Sequence, residues 1–326
     1  MASGQVPMRD AQLPITHEPH DAESAMGYCL RCVAANGTNL HWLRRAAGVP
    51  AAHMFTSDHA RALAWVLQCS ESWLEAELGK ARRMNGNTRW FGVGQEVFSS
   101  NHLRGRWPQL CPACVHLQGY CERAWELSTM TICPRHQCEL IDECRFCRAR
   151  LRWDRPSVDT CQCGRAFQLV AIEPVEDTKA IEFCELLGAA LDCPLFAATA
   201  PLSALPGFLR GMSLGGLQSL VDILGALEHQ LQVVHASRRR RALRTRDWAV
   251  VVRRALDCLG QAHLSGPDWP SGVAMDEAAL VRLLDRATCP VDLRVALPLA
   301  LAIYGNPAIV LRRSTNQLSL RFADTP

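Results

Sequence analysis

Nine cysteines concentrated in 53 residues are the part of this sequence best suited to chemistry. The chain has 326 residues and sixteen cysteines, and nine of the cysteines lie between Cys111 and Cys163. Two blocks stand out: Cys111-Pro-Ala-Cys114 followed after 18 residues by Cys133-Pro-Arg-His136, and Cys144-Arg-Phe-Cys147 followed after 13 residues by Cys161-Gln-Cys163. Each block supplies four thiol or imidazole ligands, which is the number that a tetrahedral zinc ion takes.

The two blocks predict two structural Zn²⁺ ions per chain. The predicted ligands are Cys111, Cys114, Cys133 and His136 in the first site, and Cys144, Cys147, Cys161 and Cys163 in the second. Four protein ligands leave no position for water, so the metal would stabilise the fold and would not activate a nucleophile. A structural zinc contributes on the order of 10 kcal/mol to folding, which compensates for the weak apolar periodicity of this segment.

The spacing leaves the pairing of the ligands open. A RING-like cross-brace would combine the 111–114 pair with the 144–147 pair, and His116, Cys121 and Cys138 are further donors. A redox-active Cys111–Cys114 pair is disfavoured because no βαβ pattern surrounds it. The separate Cys29-x-x-Cys32 lies in a predicted amphipathic helix, so we interpret its thiols as core residues.

The fold is predicted to be mainly α, with three consecutive domains. Residues 1–107 form a helical, helix-turn-helix-like domain, residues 108–172 a tandem zinc-binding segment that is zinc-ribbon-like or RING-like, and residues 173–326 a helical domain. The expected N-terminal helices are 23–36, 39–47, 57–68 and 72–78, and the expected C-terminal ones are 178–191, 216–235, 247–259 and 276–286. A closing hairpin is predicted over 308–322.

The third and fourth expected helices have a helix-turn-helix rhythm. Leu63 to Ser70 is followed by Trp73, Leu74 and Leu78, and the small residue Cys69 stands where the turn would be. Two packed helices in the wall of a bundle would show the same pattern. The sequence therefore predicts a helix-turn-helix shape, but this pattern alone does not predict that the motif recognises DNA bases.

The overall charge argues against a dedicated nucleic-acid binder. The chain has 35 basic and 32 acidic residues, a formal net charge of +3. The best candidates for nucleic-acid or partner contacts are three arginines and a tryptophan between the helix-turn-helix-like helices and the zinc segment, namely Arg82, Arg83, Arg89 and Trp90. No P-loop, nucleophile-elbow or H-E-x-x-H motif occurs, so we predict a binding protein and no enzyme.

The cellular compartment is predicted from the thiols and from hydropathy. Metal-bound thiolates are typical of a reducing compartment, here the bacterial cytoplasm. No apolar run approaches the ~20 residues that cross a bilayer, and residues 1–10 lack the apolar stretch of a signal peptide. We expect no membrane association.

Several of these residues together resemble the TniQ family. The resemblance rests on both halves of the region, with Glu23-Ser24, Asn36-Gly37 and Leu40 upstream and Cys111-Pro-Ala-Cys114, Gly119-Tyr120, Trp125, Thr131-Ile-Cys-Pro-Arg-His136, Leu140, Cys144-x-x-Cys147 and Leu151 in the cysteine segment. Two positions depart from the pattern. Cys161-x-Cys163 is tighter than C-x-x-C, and Gln137 follows His136 where a glycine is expected.

The resemblance implies a non-catalytic target-selection adaptor of a heteromeric transposon. Such an adaptor links a target-bound complex, here an RNA-guided Cascade complex of a CRISPR-associated transposon, to the AAA+ ATPase TnsC and the transposase, and it works as a homodimer. The alternative is a TnsD-like selector that binds its DNA attachment site directly. A zinc-dependent RING scaffold is a third, weaker reading. The near-neutral charge favours the adaptor over the direct reader.

Overall fold

The mainly helical class is confirmed for the part of the chain that the structure describes. A computed structural model describes residues 11–50, 55–84, 88–93, 96–192, 211–226, 243–264 and 289–296, together with positions 209, 281, 283–285 and 287. Within these residues helices predominate, and the strands are short. No helix of the described part is long and apolar enough to span a membrane.

Four helices follow one another at the N-terminus. They are α1 (Ala25–Ala35), α2 (Leu40–Ala46), α3 (Ala60–Leu67, after a 3-10 turn at Ser57–His59) and α4 (Glu71–Leu78). Their apolar faces pack on one another, and the most completely buried side chains are Tyr28, Leu30, Leu43, Leu63 and Leu67. The apolar spacing in the sequence therefore predicted each of these helices, with ends within three residues.

Side chains that accept from free backbone N–H groups fix where three of these helices begin. Ser24 Oγ accepts from the N–H of Gly27 at 2.9 Å, and Asn39 Oδ1 accepts from that of Trp42 at 3.0 Å. The sequence suggested Ser72 as the cap of α4, which is wrong. Ser70 caps α4 by accepting from the N–H of Trp73, and the hydroxyl of Ser72 lies 2.8 Å from that of Ser70.

Buried charges anchor the start of α1. Glu23 is completely buried, and its carboxylate accepts from the guanidinium of Arg31 at 2.6 Å. Glu126 contacts the hydroxyl of Ser24, and burial raises the pKa of this carboxyl to about 7. Nearby, Arg123 pairs with Glu77 of α4. The Glu23-Ser24 motif is therefore structural, since one residue supplies an internal ion pair and the next a helix cap.

A three-stranded sheet follows α4, which the sequence interpretation missed. Its strands are β1 (Lys80–Met84), β2 (Thr88–Val93) and β3 (Glu96–Ser99), in the order β1-β2-β3. β2 and β3 pair antiparallel, with Phe91 opposite Phe98 and Val93 opposite Glu96. Turn residues separate the strands in the sequence, Asn85-Gly86 in one case and Gly94 in the other, and these were the available signals.

Short elements build the cysteine-rich segment. They are α5 (Pro112–Gln118), a 3-10 turn at Arg123–Glu126, the two-residue strands β4 (Ile132–Cys133) and β5 (Cys138–Glu139), and a 3-10 turn at Phe167–Leu169. β4 and β5 form a hairpin in which Cys133 is opposite Cys138. This scarcity of regular structure agrees with the weak apolar periodicity of the sequence.

Three long helices are described in the C-terminal part. They are α6 (Thr178–Asp192), α7 (Leu214–Ala226) and α8 (Thr245–Leu264). α7 packs on α8 and on β3, and the carboxylate of Glu96 accepts from the N–H of Leu214 at its first turn. α6 and α8 confirm the predicted helices there, and α7 does so up to Ala226. Most of the helix predicted over 276–286 and all of the hairpin predicted over 308–322 lie outside the described residues.

The chain divides into two compact units that alternate along the sequence. One consists of Met1–Ala81, Arg104–Leu127 and Leu140–Pro174, and the other of Arg82–Leu103, Ser128–Glu139 and Val175–Pro326. The three consecutive domains predicted from the sequence do not follow these boundaries. That division stays a prediction.

A glycine in α1 provides a test of the first unit. A Cβ on Gly27 would lie 2.8 Å from Cys121 Cβ and 3.0 Å from Ser24 Oγ, which is too close without a shift of the backbone. We expect Gly27→Ala to lower the free energy of unfolding by about 1–3 kcal/mol. The measurement is urea unfolding followed by circular dichroism.

Gly188 in α6 is the matched control. No atom lies within 4 Å of the position that its Cβ would occupy, so Gly188→Ala is expected to be neutral or to stabilise the helix by up to about 1 kcal/mol. Equal effects of the two substitutions would contradict the close packing of α1 against Cys121.

Candidate metal centres

The first predicted ligand set forms around a helix start and a hairpin turn. Cys111 is the N-cap of α5, Pro112 occupies the first helical position, and Cys114 lies on the first turn. Cys133 ends β4, and His136 lies in the turn that leads to β5. Leu110 and Ile141 exchange two backbone hydrogen bonds of 2.9 and 3.0 Å, so the chain segments that flank these elements lie side by side.

The structure groups the eight predicted ligands into two sets of four. Cluster A is Cys111, Cys114, Cys133 and His136, and cluster B is Cys144, Cys147, Cys161 and Cys163; within each, all ligand atoms lie within 4.8 Å of one another. Each set combines residues of one block, so the cross-braced pairing does not occur. His116, Cys121 and Cys138 are in neither set.

The separations within the clusters match the edges of a zinc tetrahedron. With Zn–S about 2.3 Å and Zn–N about 2.05 Å, a tetrahedral ion separates two sulfurs by about 3.8 Å and a sulfur from a nitrogen by about 3.6 Å. Cys133 Sγ lies 3.6 Å from His136 Nδ1, Cys144 Sγ lies 3.9 Å from Cys163 Sγ, and Cys147 Sγ lies 3.8 Å from Cys161 Sγ. A disulfide would place two sulfurs at about 2.05 Å. The residues present fit zinc.

Two similar turns present the ligands of cluster B. Cys144 N donates to Ala149 O, and Cys161 N donates to Arg165 O, both at 2.9 Å. In each turn, the first cysteine is therefore hydrogen-bonded to the residue two positions after the second cysteine. The one-residue spacing of Cys161-x-Cys163 still brings both sulfurs to the opposite pair, so this departure from C-x-x-C does not prevent the four-ligand arrangement.

A left-handed residue follows the second ligand in three of the four pairs. These residues are Gln137 after His136, Arg148 after Cys147 and Gly164 after Cys163, with φ of 46°, 59° and 81°. This conformation favours glycine because a Cβ clashes with the backbone. It explains why a glycine is expected after His136, and it shows that Gln137 occupies a strained position.

The two clusters differ in their exposure to solvent. In cluster A the three cysteines are buried and His136 is half-buried, whereas in cluster B Cys147 and Cys163 are exposed. The backbone N–H of Arg165 lowers the pKa of Cys163 to about 7, whereas burial raises that of Cys161. Cluster A is therefore part of the interior, and cluster B lies at the surface.

A buried arginine holds the loop between the two turns of cluster B. Arg155 is 2% exposed, and its guanidinium donates to Arg152 O at 2.9 Å, Ser157 O at 3.1 Å and Cys121 Sγ at 3.4 Å. Burial lowers the pKa of this guanidinium. The sequence offered only a cluster of arginines and no sign that this one is internal.

Asp142 connects the segment between the clusters to two further arginines. Its Oδ2 accepts from Arg104 at 3.0 Å and from Arg150 at 3.2 Å. Arg150 also stacks on the ring of Trp107, with its guanidinium carbon 4.8 Å from the ring centre. Neither Arg150 nor Arg155 is therefore free for a partner.

The residues predicted to contact nucleic acid or a partner lie on the three-stranded sheet. Arg82 and Arg83 are in β1, and Arg89 and Trp90 are in β2. Their side chains lie outside the described part of the structure, so their role stays a prediction. They do not belong to either cluster.

Comparison with known families gives a match over the first part of the chain. Residues 14–140, which contain α1 to α4 and cluster A, match the model of the TniQ family. Cluster B and the C-terminal helices lie beyond the match. Comparison with curated proteins gives no match.

The left-handed turn in cluster A leads to a prediction. Replacing Gln137 by glycine removes the Cβ clash while keeping the backbone, so we expect Gln137→Gly to raise the free energy of unfolding by about 1 kcal/mol. Thermal unfolding of the metal-loaded protein measures it.

Arg135 provides the control in the same turn. It is not among the residues with positive φ, so Arg135→Gly is expected to lower stability, by about 0.5–1 kcal/mol. A loss of stability in Gln137→Gly would mean that the turn does not need the left-handed conformation.

Proposed function

We propose that this protein is a non-catalytic target-selection adaptor of a heteromeric transposon. The observation that carries the proposal is the TniQ match over residues 14–140. The adaptor would connect an RNA-guided Cascade complex on the target DNA to a TnsC-type AAA+ ATPase, which recruits the transposase. It would act as a homodimer in the bacterial cytoplasm.

Two structural zinc ions per chain belong to this proposal. Cluster A and cluster B each offer four ligands at tetrahedral separations, and no position remains for a reacting water. The metal would hold the turns in place and would take no part in a reaction. The protein would hydrolyse neither ATP nor DNA by itself.

The surface of α4 supports the adaptor over the direct DNA reader. α3 and α4 are joined by the three residues 68–70, which is the turn length of a helix-turn-helix, and this favours the alternative. However, α4 has no lysine or arginine, and its exposed residues include Glu71 and Glu75. Carboxylates at these positions would repel the phosphates that flank a DNA groove.

A DNA titration separates the two modes. We expect the isolated protein to bind duplex DNA only at the non-specific level, roughly 10⁻⁴ to 10⁻⁶ M at physiological salt. Fluorescence anisotropy with the native insertion site and a scrambled duplex, at two salt concentrations, measures this. Site-specific binding about 10³-fold tighter than to the scrambled duplex would establish the TnsD-like selector instead.

Co-purification with the ATPase tests the adaptor role itself. The protein is expected to retain a TnsC-type AAA+ ATPase of the same transposon, and to do so equally well after Glu71→Gln, because that side chain is exposed and lies outside the clusters. Absence of any complex with the ATPase or with the guide complex would contradict the proposed role.

Metal analysis tests the two zinc sites. Two zinc ions per chain are expected, and one in each of the variants Cys111→Ser and Cys147→Ser. Because two thiolates of cluster B are exposed, a chelator should remove its zinc first, in a separate faster phase. Cys111→Ser should lower stability more than Cys147→Ser, since Cys111 is buried. One or no zinc in the wild-type chain would contradict the two-site reading.

A further inference from the structure

The two turns of cluster B present an exposed group of cationic and aromatic side chains. We call Arg145, Phe146, Arg148 and Arg165 the cluster B tip; all four are exposed, the first three between Cys144 and Ala149 and the last after Gly164. Phe146 is 45% exposed, so much of its ring lies in solvent and does not pack in the core. The TniQ match ends at residue 140 and does not cover this surface.

The ring of Phe146 already contacts a cationic side chain. The guanidinium carbon of Arg165 lies 5.9 Å from the centre of the Phe146 ring, within the range of a cation–π contact. A nucleotide base is a further planar group that stacks on phenylalanine and on guanidinium. Because both turns are closed by backbone hydrogen bonds of 2.9 Å, the backbone that carries the ring is held in place before any ligand arrives.

The charges around the ring suit a phosphate backbone. Among the described residues no carboxylate forms an ion pair with Arg145 or Arg165, whereas Arg152 is engaged by Asp154 and Arg150 by Asp142. Arg148 is 72% exposed and approaches Glu143 only at 3.8 Å. A zinc–tetrathiolate centre carries a net charge of −2, so the arginines in part neutralise it. The affinity should therefore come more from stacking than from charge.

We propose that the cluster B tip binds single-stranded nucleic acid, with an unpaired base stacked on Phe146 and phosphates held by Arg145 and Arg148. A duplex keeps its interior bases stacked on one another, so apart from the terminal base pair at each end it offers no base face to the ring unless a base is flipped out. The inference rests on the proposed zinc in cluster B. It does not depend on the transposon partners.

The test is fluorescence anisotropy with the full-length zinc-loaded protein. The probes are a labelled 15-nucleotide oligothymidine, the matching oligouridine and a blunt duplex of the same length. We expect micromolar binding of the single strands, tighter than that of the duplex. Phe146→Ala should weaken it about tenfold, in line with about 1–3 kcal/mol for stacking of one base. Phe146→Trp should preserve it.

Further variants separate stacking from charge and from folding. Phe146→Leu keeps an apolar side chain without the ring and should bind as weakly as Phe146→Ala. Arg145→Gln should reduce the slope of log K against log salt by about 0.7, as expected for one phosphate contact with a single strand. Leu117→Ala, at an exposed apolar residue of α5, is the control and should change nothing. Each variant is compared at equal zinc content.

Several outcomes would overturn this assignment. Unchanged binding in Phe146→Ala with two zinc ions would do so, as would equal affinity for the duplex. If no nucleic acid binds but Phe146→Ala weakens capture of the ATPase, the tip is a protein contact. Conversely, a chain that binds no ATPase but still binds oligothymidine through Phe146 would refute the adaptor role and leave this inference intact.

Discussion

Four ligand atoms can share one ion only if they converge to within about the edge of a tetrahedron, and the cysteine-rich segment is built around that constraint. The start of α5, the β4–β5 hairpin and the two closed turns after residues 143 and 160 each aim two ligand atoms at one point. Regular structure is sparse here because a turn, and not a helix or strand, brings two ligands of a short spacing together. Left-handed φ at Gln137, Arg148 and Gly164 is the conformational cost of these turns.

Buried and half-buried arginines add hydrogen bonds to the apolar packing of this segment. Arg155 fills the loop of cluster B and donates to backbone carbonyls that no strand or helix would otherwise engage. Arg104 and Arg150 instead both donate to the carboxylate of Asp142. A guanidinium has five donors in a fixed plane, so one side chain can satisfy several carbonyls at once. Such groups order the loop through hydrogen bonds, and burying them without partners would be costly.

The sequence predicted what depends on spacing and missed what depends on tertiary contacts. The N-terminal helices followed from apolar periodicity. Ser24 and Asn39 are residue types that favour helix N-caps, and in the structure they cap α1 and α2. Both serines 70 and 72 fit a cap of α4, and only the backbone geometry selects Ser70. The sheet over 80–99 was missed because its strands are short and rich in arginine, which obscures the alternation that identifies strands.

The same limit applies to the candidate sites. The ligand spacing alone allowed sequential or cross-braced sets, and the structure selects the sequential sets because each turn closes before the next pair begins. The residue types of the two clusters did not indicate which cluster is buried and which is exposed. That cluster A is internal and cluster B exposed follows from α5 and the hairpin, which cover the first set, while the turns of the second end at the surface.

Exposed charges of opposite sign lie on different elements of the first unit. The exposed carboxylates of α4 belong to this unit, as do the arginines of the cluster B tip. With a net charge of only +3, the chain has no general attraction for nucleic acid, so any such contact must come from a local group of side chains. Local groups of this kind set orientation and specificity more than affinity. The proposed adaptor would need that property, because it would have to join a complex already placed on the target by other means and to release free DNA that it meets elsewhere.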